Sequence, residues 1–163
     1  MKKKIIAGFL ILFVLLLIVF VVIPTIRYNS NSISGEEWMK KQDAYLDDLK
    51  GVSENLDNIT SLYLSGGITG DDYLKHLGTV NESFVIVQKK YEEETSDLMI
   101  NDYTPEEKQA TDAVKKSYEL LGELIMVCQR DAGDMNLLSY EYLAAQQAIQ
   151  KQMIKYVEIV GSD

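Results

Sequence analysis

One histidine and one cysteine carry most of the conventional chemistry that this 163-residue sequence offers. His76 could ligate a metal together with Asp72, one helical turn earlier, and Cys128 would need a nearby base to act as a nucleophile. A single cysteine excludes an intramolecular disulfide and a cysteine-based zinc site. We interpret His76 as a partly exposed histidine beside an apolar face and Cys128 as a small buried apolar residue. Since no nucleophile motif or phosphate-binding loop accompanies them, the sequence predicts no enzyme, no cofactor and no metal site.

Aspartates gather in two turn segments, 65–72 and 131–136, which would meet if the helices that they join run side by side. Carboxylates and glycine carbonyls are oxygen ligands that suit calcium, although the EF-hand spacing is absent. Helix caps and turns explain the same residues, and we expect any contact with a protein partner to concentrate at this far tip. The carboxylates of the tip are Asp71, Asp72, Asp131 and Asp134.

A second acidic cluster lies toward the end of a predicted helix, where negative charge is unfavourable beside the helix dipole. Lys89 and Lys90 precede it at i,i+4 spacing, which offsets part of the repulsion. A solvated helix face explains the cluster, and the alternative is an acidic docking patch near a membrane. The members of this acidic patch are Glu92, Glu93, Glu94 and Asp97.

Net charge restricts the class of partner. The chain has 25 acidic and 16 basic residues, a formal net charge of −9. Three of the basic residues are Lys2, Lys3 and Lys4, so the rest of the chain has 13 basic and 25 acidic residues. Such a domain repels nucleic acid and anionic lipid headgroups. The sequence therefore predicts no nucleic-acid partner.

The N-terminal sequence is typical of a membrane anchor. Residues 5–23 form an uncharged apolar run whose helix would be about 28 Å long, close to the roughly 30 Å of a bilayer core. The basic residues within 1–4 place that end in the cytoplasm. A cleaved signal peptide is the alternative, but its apolar core should be shorter and end at a small-x-small site. We predict a single-pass cell-membrane protein in which 24–34 is a flexible tether and 35–163 is extracytoplasmic.

Capping signals mark where the helices of this domain begin. Each cap residue is followed three positions later by an acidic residue, and Pro105 adds the proline that favours the first helical position. The cap residues are Ser34, Thr69 and Thr104. A fourth helix should span about 137–160, with an ambiguous cap.

Apolar residues recur behind each start at alternating spacings of three and four, the seam of a heptad pattern. The seam of the fourth helix consists of Leu138, Tyr142, Ala145, Ile149, Gln152, Tyr156 and Ile159. Four such helices with short connections hide their seams best as an antiparallel up-down-up-down four-helix bundle. No segment shows the sustained apolar–polar alternation of a strand, and we therefore predict an all-α protein with an N-terminal transmembrane helix followed by this bundle. In an alternative arrangement two helices pair in trans and the core belongs to a homodimer.

Polar residues on or beside the seams permit two interpretations. Seven of the ten tyrosines lie there, and their hydroxyls could line a ligand pocket or reach water at the rim. Gln42, Gln146 and Gln152 could similarly fix the register of the helices.

The leading prediction is a membrane-anchored extracytoplasmic bundle that acts by binding, as an interaction or scaffold module for a protein partner. The alternative is a domain that senses a small ligand or cation and works with a separate transmembrane partner.

Overall fold

The structure, a computed structural model, describes residues 32–161. Four helices account for 84% of these residues, which confirms the all-α prediction. In chain order the elements are β1 (Ser32–Ser34), α1 (Gly35–Leu64), α2 (Gly70–Thr95), β2 (Met99–Asn101), α3 (Pro105–Asp131) and α4 (Met135–Val160). The predicted cytoplasmic end 1–4, the anchor 5–23 and residues 24–31 of the predicted tether lie outside this range. Across 32–161, no helix has the length and apolar character needed to cross a membrane.

Local side chains fix where the helices begin. Ser34 accepts a hydrogen bond from the backbone of Glu37 at 3.2 Å, and the Glu37 carboxylate accepts one in return from the Ser34 backbone at 3.3 Å. Thr104 caps α3 in the same reciprocal way, and Thr69 caps α2. The ambiguous fourth cap is Asp134, which accepts from two backbone N–H groups at 3.1 Å each. As a result α4 begins two residues earlier than predicted.

Two short strands form although no segment shows the apolar–polar alternation of a strand. β1 and β2 pair in parallel, with Ser32 opposite Met99 and Ser34 opposite Asn101. Three residues are too few to show an alternating pattern, and the pairing joins segments that are far apart in the chain. The last three residues of the predicted tether are thereby held against the connection between α2 and α3.

Cross-helix hydrogen bonds show the direction of each helix. Tyr45 and Thr60 of α1 contact Glu94 and Tyr73 of α2, so these two helices run in opposite directions. By contrast, α1 and α3 run in the same direction. Trp38 donates to Thr111 at 2.8 Å, and Tyr118, seven residues further along α3, donates to the Tyr45 carbonyl seven residues further along α1.

Two tyrosines attach α4 to α1 with the opposite polarity. Tyr142 donates to Asp57, and Tyr156 donates to Asp43 at 2.6 Å. The two contacts are fourteen residues apart on both helices, which is two heptads. Consecutive helices of the bundle therefore alternate in direction.

The core lies between the four helices, and α4 contributes least to it. Ten residues of α3 are buried, whereas only Leu138, Tyr142, Ile149 and Tyr156 are buried in α4. These four belong to the predicted seam of α4. Most of the closest packing of α4 is against α3.

Candidate functional site

The two turn segments of the predicted tip lie at the same end of the bundle. The hydroxyl of Tyr63, at the end of α1, donates to the carbonyl of Ala132, just after α3. The Tyr63 ring also stacks on Tyr73 at the start of α2, with 4.4 Å between ring centroids. The connections between α1 and α2 and between α3 and α4 are thus joined through one buried tyrosine.

Local contacts engage three of the four tip carboxylates. Asp72 accepts from the Thr69 hydroxyl at 2.8 Å, and Asp134 is the cap of α4. Asp131 is buried and receives two hydrogen bonds from Arg130 at 2.7 and 2.6 Å. The guanidinium hydrogen bonds hold the pKa of Asp131 below its ordinary value. Asp71 is exposed in the first turn of α2, where its charge complements the helix dipole.

The tip has no cation site among the residues that the structure describes. Nowhere in 32–161 do three His, Cys, Asp or Glu side chains come together in a way that could hold a metal ion. Asp72, Asp131 and Asp134 each contact a different local partner. Binding of a protein partner at the tip stays a prediction.

The acidic patch at the end of α2 is exposed and partly neutralised. Glu94 accepts from the Tyr45 hydroxyl at 2.8 Å and from Lys41 at 3.3 Å, and these contacts lower its pKa. Lys89 lies 3.5 Å from Glu93, and Gln88 donates to Glu92. Asp97 is exposed. Because Tyr45 and Lys41 come from α1, part of this patch serves the packing of α1 on α2, and its docking role remains a prediction.

His76 and Cys128 have different surroundings. His76 is exposed on the wall of a groove of about 270 Å³ between α1 and α2, which Asn55 and Asn58 also line. Cys128 is fully buried in the core, as predicted, and burial raises the pKa of its thiol. A thiolate nucleophile requires the opposite shift.

Six of the seven tyrosines on or beside the seams have hydroxyl hydrogen bonds within the bundle, namely Tyr45, Tyr63, Tyr73, Tyr118, Tyr142 and Tyr156. Three of them donate to carboxylates, those of Tyr45, Tyr142 and Tyr156. Burial is the largest cause that raises the pKa of each of these hydroxyls. Burial also raises the pKa of Tyr91 to about 12. Tyr45, Tyr142 and Tyr156 are therefore neutral donors that join α1 to α2 or to α4.

Gln42 is the exception to this satisfied core. It is fully buried in α1, and neither its amide nitrogen nor its amide oxygen has a hydrogen-bond partner. An unpaired buried amide is destabilising. The predicted role in fixing register is therefore not supported by a hydrogen bond at Gln42.

The outward face of α4 is a feature that the sequence reasoning missed. The described residues have thirteen exposed large apolar side chains, and seven of them belong to α4. Six positions of α4 repeat at spacings of three, four, three, four and three, and all six are exposed. We call them the outer seam: Tyr140, Leu143, Gln147, Gln150, Ile154 and Val157.

The signal for the outer seam was present in the sequence. Residues 142–150 contain no charged side chain, whereas an exposed helix face normally carries several. The helix therefore has apolar residues on two faces, and only one of these faces packs on the bundle. An exposed apolar stripe of this kind is typical of a protein–protein contact.

Comparison with protein-family models, with curated proteins and with solved structures gives no match for this chain. Its function is therefore argued from its own residues.

Proposed function

We propose that this chain is a membrane-anchored, extracytoplasmic helical-bundle protein that acts by binding another protein and not by catalysis. The outer seam of α4 is the observation that carries the proposal. Tyr140 is 77% exposed and Val157 is 62% exposed, although both are residues that a soluble helix usually directs inward. Covering these side chains with a partner would remove apolar surface from water.

The proposed arrangement in the membrane follows from the sequence. Residues 5–23 would form the single-pass anchor with residues 1–4 in the cytoplasm, and an up-down-up-down bundle would stand outside the bilayer. The pairing of β1 with β2 would join the tether to the bundle at the end opposite the tip. The lipid bilayer would then be a partner through the anchor alone, because the acidic bundle repels anionic headgroups.

Binding of a protein is favoured over sensing of a small ligand. Three surface grooves in the described residues have volumes of about 270, 250 and 340 Å³. Ligand pockets are usually about 300–1,000 Å³ and enclose most of the ligand, and of these three grooves one, at about 340 Å³, reaches that range. The outer seam, in contrast, offers exposed apolar side chains toward both ends of α4, Tyr140 and Leu143 at one end and Ile154 and Val157 at the other, which suits a helix of a partner.

Site-specific photo-crosslinking tests the proposal. A photoreactive amino acid replaces Leu143 of the outer seam in the full-length protein, and the matched control carries it at Leu62 of α1. The two side chains are 56% and 51% exposed, so they sample solvent to a similar extent. Illumination of intact cells should give discrete protein adducts at position 143 and none at position 62.

Equal adduct patterns at positions 143 and 62, or none at either, would refute the binding role of the outer seam.

The side of the membrane on which the bundle lies is measured separately, by adding protease to unbroken cells that make a C-terminally tagged chain. Loss of the tag is expected for an extracytoplasmic bundle. A tag that is cut only after the cells are lysed would refute the proposed orientation.

A further inference from the structure

We propose that the tether around Arg27 docks into a groove between the first turns of α1 and α3 and the last turn of α4. The groove has a volume of about 250 Å³ and lies at the end of the bundle where the tether enters through β1. This inference goes beyond the proposed function, and it does not depend on what covers the outer seam. We call the surface the near-end groove, and its lining includes Glu36, Met39, Glu106, Glu107, Ile159 and Val160.

The near-end groove combines apolar and acidic side chains. Its apolar lining comes from all three helices, and its charged lining consists of three glutamates without a basic side chain. An arginine suits this mixture, because its methylene groups pack on apolar surface while its guanidinium binds carboxylates. Ligand pockets are usually larger than about 300 Å³, so a single side chain fits this groove better than a free ligand does.

The three glutamates of the groove are not equally engaged. Glu36 pairs with Lys40 of its own helix at 2.7 Å, and both side chains are exposed. The Glu107 carboxylate accepts a hydrogen bond from the Thr104 backbone at 2.7 Å, as part of the cap of α3. Glu106 is exposed and has neither a hydrogen bond nor an ion pair within residues 32–161. The carboxylate of Glu106 is therefore available to a cation.

Charge selects Arg27 as the occupant of the groove. Arg27 lies outside the described residues, and it is the only charged residue in the sequence 5–35. The groove thus offers carboxylates without a cation, and the tether brings a cation without a carboxylate. Residues 162–163 follow α4 beside the same groove, but Asp163 is acidic and the glutamates repel it.

The path of the chain brings Arg27 close to the groove. Pairing with β2 holds Ser32 only four residues before Glu36 of the groove. Arg27 precedes Ser32 by five residues, which span at most about 17 Å. The residues between them, 29–31, are Asn-Ser-Asn, which favour a turn and allow the chain to reverse. Such a short connection gives Arg27 an effective concentration of about millimolar at the groove, so even a weak contact is occupied.

Docking of Arg27 would fix the height of the bundle above the bilayer, given the proposed anchor at 5–23. An undocked tether allows a separation of up to about 30 Å between Ile23 and Ser32. With Arg27 in the groove, only four residues connect the anchor to the bundle, and they span at most about 13 Å. The bundle would then be held beside the membrane, where it can meet other membrane proteins.

Carbodiimide cross-linking of the Arg27→Lys variant tests the contact. The substitution keeps the positive charge and supplies an amine, which the reagent joins to a carboxylate that touches it. The full-length chain is studied in phosphatidylcholine vesicles, whose headgroups carry no net charge. Peptide mass spectrometry should show an amide between positions 27 and 106. An amide between Lys40 and Glu36 shows that the reagent has acted, because these side chains are already paired.

The reactivity of a cysteine in the groove gives a second measurement. A Val160→Cys chain reacts with a maleimide at a rate that falls when the groove is occupied. Adding Arg27→Gln should raise this rate about two- to fivefold, the factor expected for the loss of one exposed ion pair. High salt should raise the rate in the chain that keeps Arg27, and should have little effect once Arg27 is replaced.

Matched variants show whether the effect belongs to the groove. Val157→Cys lies one turn earlier on α4, in the outer seam, and its rate should not respond to Arg27→Gln. Glu106→Gln should raise the rate at position 160, whereas Glu158→Gln, at an exposed position of α4, should not. The native Cys128 is buried, and the unsubstituted chain corrects for its reaction.

Both the amide and the change in rate are required by the proposal. If position 27 forms no amide with Glu106 while Lys40 and Glu36 are joined, the docking is overturned. Equal rates at position 160 with and without Arg27→Gln would overturn it as well. An amide that joins two chains would place the tether of a second copy in the groove and would also overturn the proposal. Photo-crosslinking at Leu143 and the protease experiment do not involve Arg27, so the proposed function can stand where the docking fails.

Discussion

Replacing Gln42 with methionine should stabilise the bundle. The Gln42 side chain is 0% exposed, and both polar atoms of its amide lack a hydrogen-bond partner. Methionine has a similar length and no strong polar group, so it can fill the same space without a desolvated amide. Burying an amide without compensation costs about 1–3 kcal/mol, and Gln42→Met should raise the free energy of unfolding by that amount.

Thermal unfolding of the full-length chain in a mild detergent measures this effect through the far-UV circular dichroism of the helices. A gain of about 1–3 kcal/mol corresponds to an increase in Tm of about 2–12 °C for a chain of this size. The matched control is Gln129→Met, because Gln129 is exposed on α3. Its amide is solvated by water, so the substitution should change Tm little.

A lower Tm for Gln42→Met would refute the reasoning. It would mean that the amide of Gln42 forms hydrogen bonds whose loss outweighs the relief of desolvation. Gln42→Leu gives a second measurement with a different shape. If both variants are destabilised while Gln129→Met is neutral, the glutamine is a polar anchor of the core rather than an unsatisfied group.

Three further predictions concern titratable groups. Cys128 is fully buried and burial raises its thiol pKa, so Ellman's reagent should react with it only in denaturant; rapid reaction in native buffer would contradict this. Burial raises the pKa of Tyr91 from 10.0 to about 12, so its neutral hydroxyl contributes stability that is complete below pH 10 and is lost as the pH rises through about 12. Tyr91→Phe should therefore keep more helicity than the unsubstituted chain at pH 12, and identical alkaline transitions would exclude this role. Arg130 lowers the pKa of Asp131, so the contribution of this ion pair is present above the ordinary value of 3.8 and is lost as the pH falls through the lower folded value. Asp131→Asn should lower Tm at pH 7, and Tm of the variant should fall less than that of the unsubstituted chain as the pH is lowered. An unchanged Tm at pH 7 would refute the structural role.

Helix starts could be predicted from the sequence because the interactions that fix them are local. Ser34 and Thr104 each meet an acidic residue three positions later, and the reciprocal hydrogen bonds form within a single turn. The buried seam of α4 was also predictable, since its spacing places Leu138, Ile149 and Tyr156 on one face. These features depend on neighbours within a few residues or on the helical period.

Features that depend on distant contacts could not be predicted in the same way. The pairing of β1 with β2 joins short segments on either side of a helical hairpin, and nothing in three residues indicates a partner. Likewise, we grouped Asp131 with the carboxylates of a partner-binding tip, yet it is buried against Arg130, which also contacts Glu141 of α4. The inward position of Asp131 follows from how α3 meets α4, and spacing along the chain does not reveal it.

The two faces of α4 show where reasoning from periodicity needs one more step. Assigning one seam to each helix accounts for the core, but it ignores whether the remaining positions are as polar as a solvated face requires. In α4 they are not, because the outer seam places Leu143, Ile154 and Val157 opposite the buried face. In a single copy, the helices that bury the inner seam cannot also reach the outer one. A helix with two apolar faces therefore needs a second surface to pack on, and this requirement links the composition of α4 to the binding role that we propose.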